Sequence, residues 1–170
     1  MYNMSKKLEL KKISKYDLEI IVKWRNDPKI MKYNRQFFLL NMKHQLRWFN
    51  DLSKKDSEQR MFVFKYNGNT IGVGGLIHLD KKNRSAEVSI ILGETKLQHR
   101  GLGTMALQLL INYAFQKLKL HRIEAEIFEY NKISVKLFER LNFKREAILK
   151  DSLWRNGRWW NVYIFSIIND

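Results

Sequence analysis

The chain has no cysteine and a single proline in 170 residues. Without cysteine there are no disulfides, no thiolate metal centres and no cysteine nucleophile. Four histidines, His44, His78, His99 and His121, are scattered without a ligand-spaced pair, so no metal is expected. No apolar run approaches the roughly 20 residues of a membrane-spanning helix, and no membrane partner is expected. The opening stretch MYNMSKKLELKK lacks the apolar segment of a secretory signal, which points to the cytoplasm. Scarce proline with 45% hydrophobic residues excludes a chain disordered by composition. One domain over residues 1–170, with a sizeable core, is expected at this length.

Acidic side chains are the other scarcity. Against 32 Lys and Arg stand 17 Asp and Glu, a net charge of +15. Residues 1–85 carry +11 of it and residues 86–170 carry +4. Such a field concentrates anions, including nucleotides and nucleic acid; a solvated basic surface is the plainer alternative.

Periodicity gives a mixed α/β reading. Strands are expected at Lys7–Ile13, Arg60–Tyr66, Thr70–Leu79, Ala86–Leu92 and Arg122–Phe128, with a closing pair at Lys144–Leu153 and Arg158–Ile168. Asn67-Gly68-Asn69 and Asn156-Gly157 are hairpin signals, and Lys81-Lys82-Asn83 is a further turn. Helices are expected at Lys15–Arg25, with Ser14 as cap and Pro28 past its end, at Asn41–Ser53, and at Ile133–Leu141. A fourth, from Gly101 to about Leu118, is apolar on most of its surface and so central to the fold.

Gly101 and Gly103 fall at the start of that fourth helix. Glycine permits a tight turn and close ligand approach. Successive loop amides and the free N–H groups of a first helical turn attract anions, and His99 and Arg100 add charge. A phosphate or pyrophosphate site is the physical expectation; a ligand-free connector is the alternative. Gly101 to Ala106 also fits G-x-G-x-x-A, with Glu124 or Glu126 about 20 residues on, the spacing of a dinucleotide fingerprint. Against that reading, Gly93–Arg100 separates the strand from the first glycine, and the upstream half reads antiparallel. No Gly-Lys-Ser/Thr follows, so this is not a P-loop.

The run Gln98-His99-Arg100-Gly101-Leu102-Gly103 resembles the Q/R-x-x-G-x-G/A signature of the GNAT superfamily of acetyl-CoA-dependent N-acetyltransferases. Further resemblances follow in order: Ala86-Glu87 in the preceding strand, Asn131-Lys132-Ile133-Ser134, the run Leu137 to Phe143, and the closing Trp154 to Tyr163. This last stretch is similar to the branch containing ribosomal-protein N-terminal and spermidine acetyltransferases. The resemblance implies a single α/β (α+β mixed) domain: a mostly antiparallel central sheet of about six to seven strands flanked by about four helices. It implies acetyl-CoA as co-substrate, with the amides of Arg100, Gly101, Leu102, Gly103 and Thr104, beside Gln98 and His99, on its pyrophosphate. It places Leu92 on the pantetheine arm, Asn131 and Ser134 against the cofactor, and Lys136 or Arg140 near the 3′-phosphate, although solvated helix residues explain the last two as well.

Acetyl transfer needs a neutral amine, and an alkylamine has a pKa of about 10. Glu87, acidic in an apolar strand, is the candidate base; a salt bridge to a neighbour such as Arg84 is the alternative. Strand amides near Ile91 and Leu92 are candidate donors to the oxyanion. Where many members of the superfamily carry a thiolate-protonating Tyr, this chain has Phe138; Tyr130 or Ser134 is left for that role, or the thiolate leaves unassisted.

For the acceptor, Trp24 to Ile30 and His44 to Phe49 resemble acetyltransferases of nucleotide-linked amino sugars. Trp24, Tyr33 and Trp48 are candidate stacking residues, and Arg25, Lys32 or Arg35 candidate diphosphate ligands; helix core is the alternative for both tryptophans. An anionic amino-sugar nucleotide suits the charge, a protein N-terminus on the ribosome comes next, and a polyamine third, since no acidic cluster appears in the N-terminal half. A non-catalytic RNA-binding protein is a further alternative. A monomer or a homodimer paired through the last strand is compatible.

Overall fold

The computed structural model describes residues 7–94 and 100–169. Gln98 and His99 lie outside the described residues. Seven strands form one sheet: β1 (Leu8–Lys12), β2 (Arg60–Tyr66), β3 (Asn69–Asp80), β4 (Ser85–Leu92), β5 (Arg122–Phe128), β6 (Lys144–Arg155) and β7 (Arg158–Ile168), in the order β1-β2-β3-β4-β5-β7-β6. Among the described residues the helices are α1 (Leu18–Asn26), α2 (Pro28–Met31), α3 (Met42–Leu52), α4 (Leu102–Asn112) and α5 (Lys132–Arg140).

Period-two alternation sends successive side chains to opposite faces. Ala86 and Val88 of β4, with Ile123, Ala125 and Ile127 of β5, meet Ala106, Leu107, Leu110 and Ile111 of α4 on one face. Leu107 and Leu110 are fully buried, and each contributes about 1.5–3 kcal/mol. On the other face Val63, Val73 and Ile91 pack against Leu18 and Ile21 of α1 and against Trp48, Phe49 and Leu52 of α3. Glu87, Glu124 and Glu126 belong to this second face by alternation with the buried Ala86, Ala125 and Ile127. Asp17 fastens the start of α1: its carboxylate accepts from the Ser14 amide at 2.9 Å and from the Thr70 hydroxyl of β3 at 3.2 Å.

Every neighbouring pair is antiparallel except β4 with β5. That parallel pair joins only Ser85, Ala86 and Glu87 to Arg122, Ile123 and Glu124. Beyond it β4 stays with β3 up to Leu92, and β5 stays with β7 up to Phe128. The sheet therefore opens into a wedge with Glu87 and Glu124 at its apex.

Several expected boundaries move, each for a local reason. The helix read as Lys15–Arg25 starts as a 3-10 turn at Lys15–Asp17. Pro28 does not lie beyond a helix but opens α2, where its missing N–H is no loss and the Asp27 side chain caps Lys29 N at 2.9 Å. The helix read to Leu118 leaves α geometry at Asn112 and finishes as a π-turn, Tyr113–Lys117. The closing strand does not support pairing across a dimer: β7 lies between β5 and β6 and uses both edges within the chain. The edge belongs to β6, whose residues are mostly exposed.

Sequence periodicity gave no sign of a break in β3. Ile77 pairs with Glu87 and Asp80 with Ser85, so His78 and Leu79 together oppose Ala86. Leu79 keeps the core-facing place, and His78, with φ 52°, is the inserted residue.

Where β4 ends, the Trp24 indole lies on Gly93 so closely that a Cβ there would stand 1.9 Å from the ring. Gly93→Ala must displace Trp24 and is expected to lower stability by about 1–3 kcal/mol, read as a fall in the denaturant midpoint.

Candidate active site

The wedge is a slot lined by backbone. Past Glu87, the β4 amides that face β5 find no strand there, because β5 has turned away with β7. An extended, peptide-like ligand fits such an edge by strand-type hydrogen bonds. At its open end, Gly101 caps α4 with φ 75° and ψ 0°, the left-handed geometry that favours glycine, and among the described residues no side chain caps the helix. The first-turn amides of α4 are thus free to receive an anion. A Cβ at Gly103 would meet Leu92 at 3.5 Å and Leu137 at 3.7 Å, so the end of β4, the start of α4 and the side of α5 converge. Of the cofactor candidates, Leu92, Arg100, Gly101, Leu102, Gly103 and Thr104 follow one another along this convergence. Asn131 caps α5 by accepting from Ser134 N at 3.2 Å, and Lys136 projects from α5 exposed. The donor set and the slot together fit a phosphate-bearing, extended ligand.

Glu87 occupies the apex. Burial and the neighbouring Glu126 carboxylate push its pKa above the ordinary carboxylate value, against the opposing pull of His78 and Arg35. His78 Nδ1 lies 3.0 Å from Glu87 Oε2, and Arg35 Nε donates to Glu126 Oε2 at 2.6 Å. The alternative partner considered for Glu87, Arg84, is not the one found; His78 is. Its signal was a lone imidazole in an otherwise apolar strand. Glu126 was considered only as a ribose ligand, and its place beside Glu87 depends on the parallel pairing of β4 with β5.

The residues before α3 run over the open face of the wedge as a strap. The Tyr130 hydroxyl donates to Lys32 O at 2.5 Å, and Arg155 Nη2 donates to Asn34 O at 3.0 Å and to Arg35 O at 2.9 Å. Tyr33 and Trp160 stand 6.0 Å and 4.8 Å from the Tyr130 ring, and Arg158 lies 3.3 Å over Trp160. Burial raises the Tyr130 pKa, so its proton stays on the phenol and is committed to the strap. Ser134 is half-buried on α5, and Phe138 is core, edge-on to Phe143 at 4.9 Å.

The two tryptophans follow the helix-core alternative to different degrees, Trp24 buried and Trp48 half-buried. Trp24 is 6% exposed beneath Gly93 and has no face left for a base or sugar. Trp48 packs in the α1–α3 layer with its Nε1 on Gln59 Oε1 at 3.1 Å. Tyr33 does reach the strap side of the wedge, through Tyr130. Arg25 is half-buried at the end of α1, where burial lowers its guanidinium from the usual value. Among the described residues no cluster of His, Asp and Glu is placed to hold a metal ion.

Comparison with known proteins agrees with this geometry. The profile of a family described as Acetyltransferase (GNAT) domain matches residues 7–144. The uncharacterized N-acetyltransferase p20 of Bacillus licheniformis is 32% identical over 168 residues, covering 96% of this chain and 94% of that protein. The acetyltransferase PseH of Campylobacter jejuni is 27% identical, covering 77% of this chain and 79% of its own. The crystal structure of spermidine N-acetyltransferase from Vibrio cholerae in complex with CoA and spermine superposes with a TM-score of 0.88 at 28% identity, covering 95% of each chain.

The charges around Glu87 are separable in solution. In Glu126→Gln the titration midpoint of the Glu87 carboxyl, followed by side-chain 13C NMR, is expected to fall; in Arg35→Gln it is expected to rise.

Proposed function

The chain belongs to the GNAT acetyltransferase family and is an acetyl-CoA-dependent N-acetyltransferase; from that premise we propose that it acetylates the primary amine of a small anionic acceptor, an amino-sugar nucleotide, with Glu87 as general base. The observation that carries the acceptor class is the strap and the strands beneath it: Tyr33, Tyr130 and Trp160 form an aromatic cluster, and Lys32, Arg155 and Arg158 stand around it. Aromatic faces and guanidinium forks are what a base and a diphosphate require.

Acetyl-CoA supplies the activated acyl carbon when bound. The chain would hold its pyrophosphate on the amides of Arg100 to Thr104 and its pantetheine arm along β4 through Leu92, with Asn131, Ser134 and Lys136 on the α5 side. Backbone amides near Ile91 and Leu92 would polarise the acetyl carbonyl. Glu87 then takes a proton from the acceptor ammonium, and the raised affinity of its carboxyl for protons suits it to that exchange. Phe138 has no proton to offer the departing thiolate, and Tyr130 keeps its own on Lys32 O. Among the acid candidates this leaves Ser134, or departure as the thiolate.

One observation favours a second acceptor class. Glu87, Glu124 and Glu126, all from the C-terminal half, share one sheet face at the wedge. This is local acidity of the kind a polyamine needs within a basic protein. Arg35 and Arg122 already engage Glu126 and Glu124, which ranks this reading below the anionic one.

Release of CoA from acetyl-CoA is measured with a uridine-diphosphate amino sugar, spermidine and an N-terminal ribosomal-protein peptide. The amino-sugar nucleotide is expected to give the highest kcat/KM; spermidine or the peptide ahead of it overturns the acceptor assignment. With that acceptor Glu87→Gln is expected to lower kcat roughly a hundredfold or more with acetyl-CoA binding retained, and an unchanged rate removes Glu87 from the reaction.

The loop is tested separately. Acetyl-CoA at 100 times its Kd is expected to stabilise the native protein by about 2.7 kcal/mol. Gly101→Ala forces a Cβ into left-handed backbone at about 1–2 kcal/mol, so both basal Tm and the ligand-induced shift are expected to fall.

A further inference from the structure

The β3 bulge singles out His78. Ile77 and Glu87 are cross-strand partners on one face, and Leu79 holds the core-facing place on the other, so the extra residue is free to turn where its φ of 52° sends it. It turns onto Glu87, with Nδ1 3.0 Å from Oε2. Left-handed geometry costs a non-glycine residue about 1–2 kcal/mol, and bulges concentrate beside active sites. Leucine, valine or glycine in a regular ladder would fold this strand without that cost.

Exposure gives the pair a direction. The Glu87 side chain is 24% exposed, whereas the imidazole is 74% exposed. Beyond the imidazole lies an open hollow lined in part by Asp56, Glu58, Asp80 and Lys81, so its outer edge meets solvent. On the inner side the charged groups facing Glu87 are Glu126 of β5 and Arg35 of the strap, with Glu124, its partner in the β4–β5 register, held by Arg122 at 2.6 Å.

We propose that His78 is the positioning and proton-relay partner of Glu87, orienting its carboxylate toward the wedge and carrying the proton taken from the acceptor ammonium out to solvent. The inference rests on Glu87 acting as the base. An N–H bond of the ammonium breaks and an O–H bond forms on Glu87. With its proton on Nδ1, His78 holds the Glu87 carboxylate; once that carboxyl is protonated, exchange with water at the exposed edge moves the imidazole proton to Nε2, the Glu87 proton passes to the freed Nδ1 lone pair, and the Nε2 proton leaves to water, which restores the starting tautomer. The electron pair freed on the amine forms the new C–N bond, the pair of the broken C–S bond stays on sulfur as thiolate, and the second proton of the acylated nitrogen goes to that thiolate, leaving a neutral amide and CoA. No oxidant, metal or further reactant is needed.

Two variants test this. His78→Gln keeps bulk and a hydrogen bond but cannot relay; His78→Gly relieves the positive φ and leaves room for added imidazole. Turnover is measured with whichever amine of the acceptor panel is fastest, and acetyl-CoA-induced stabilisation serves as the control for fold and donor binding. Both variants are expected to lose at least tenfold in kcat with that stabilisation intact. The acid limb of the pH–rate profile is expected to move upward, because His78 lowers the Glu87 pKa. Imidazole is expected to restore turnover in His78→Gly and not in His78→Gln. Unchanged kcat and pH profile, or a loss that imidazole does not touch, overturns the relay. If no amine of the panel is acetylated, the acceptor reading fails by itself, and the pair is read from the Glu87 13C titration: a higher midpoint in His78→Gln supports the contact, and an unchanged one overturns it.

Discussion

The structure depends on β4 and β5 parting after three paired residues. A parallel pair that continued to Leu92 and Phe128 would satisfy its own backbone and leave nothing for a ligand to bind. Parting exposes strand amides that are costly to leave unpaired when water is excluded, and a peptide-like pantetheine can repay them. It also decides where every other part must lie. The helix that links the two strands, α4, has its N-terminus at the open end of the wedge, and Glu87 is held at the closed end by the last paired residues. The tight seat of Trp24 on Gly93 locks α1 against the β4 terminus, so the open end has a solid back wall.

Charge acts at two ranges. The +15 of the whole chain sets a long-range field that salt screens within a Debye length of about 8–10 Å. Inside the wedge the near neighbours decide instead. Glu87 feels Glu126 more than it feels the distant lysines, because the close pair interacts through poorly screening protein while exposed lysines act through water and salt. Arg35 damps that repulsion from the strap side by holding Glu126. A basic protein thereby keeps a carboxylate of raised pKa at the apex of the wedge.

Local patterns were legible because they are short-range. The strand periodicities, both Asn-Gly hairpins and the glycine-capped start of α4 all stand close to where they were read. The GNAT resemblance then ordered them into one sheet. What escaped depends on contacts between distant segments. Nothing local in β3 announces that Leu79, and not His78, will take the core place opposite Ala86. Trp24 and Trp48 look alike as candidates for stacking, yet one is buried by Gly93 and the other is fixed by Gln59. The acidity of the wedge is invisible by halves of the chain, because it is made by pairing β4 with β5.

Phe138 closes the argument about protons. A thiol has a pKa of about 8.5 and an alkylamine about 10, so at neutral pH the thiolate leaves readily while the amine is the group that must be deprotonated. Acid assistance to sulfur is the lesser requirement, and here the superfamily's Tyr position is given over to core, where Phe138 packs on Phe143. Tyr130 spends its hydroxyl on Lys32 O and so holds the strap in place. The groups with exchangeable protons instead gather on the amine side: Glu87 with its raised pKa, and His78 bent out of a regular strand to meet it. With Glu87 as the proposed base, the strained residue and the buried carboxylate stand together where the harder proton transfer would lie.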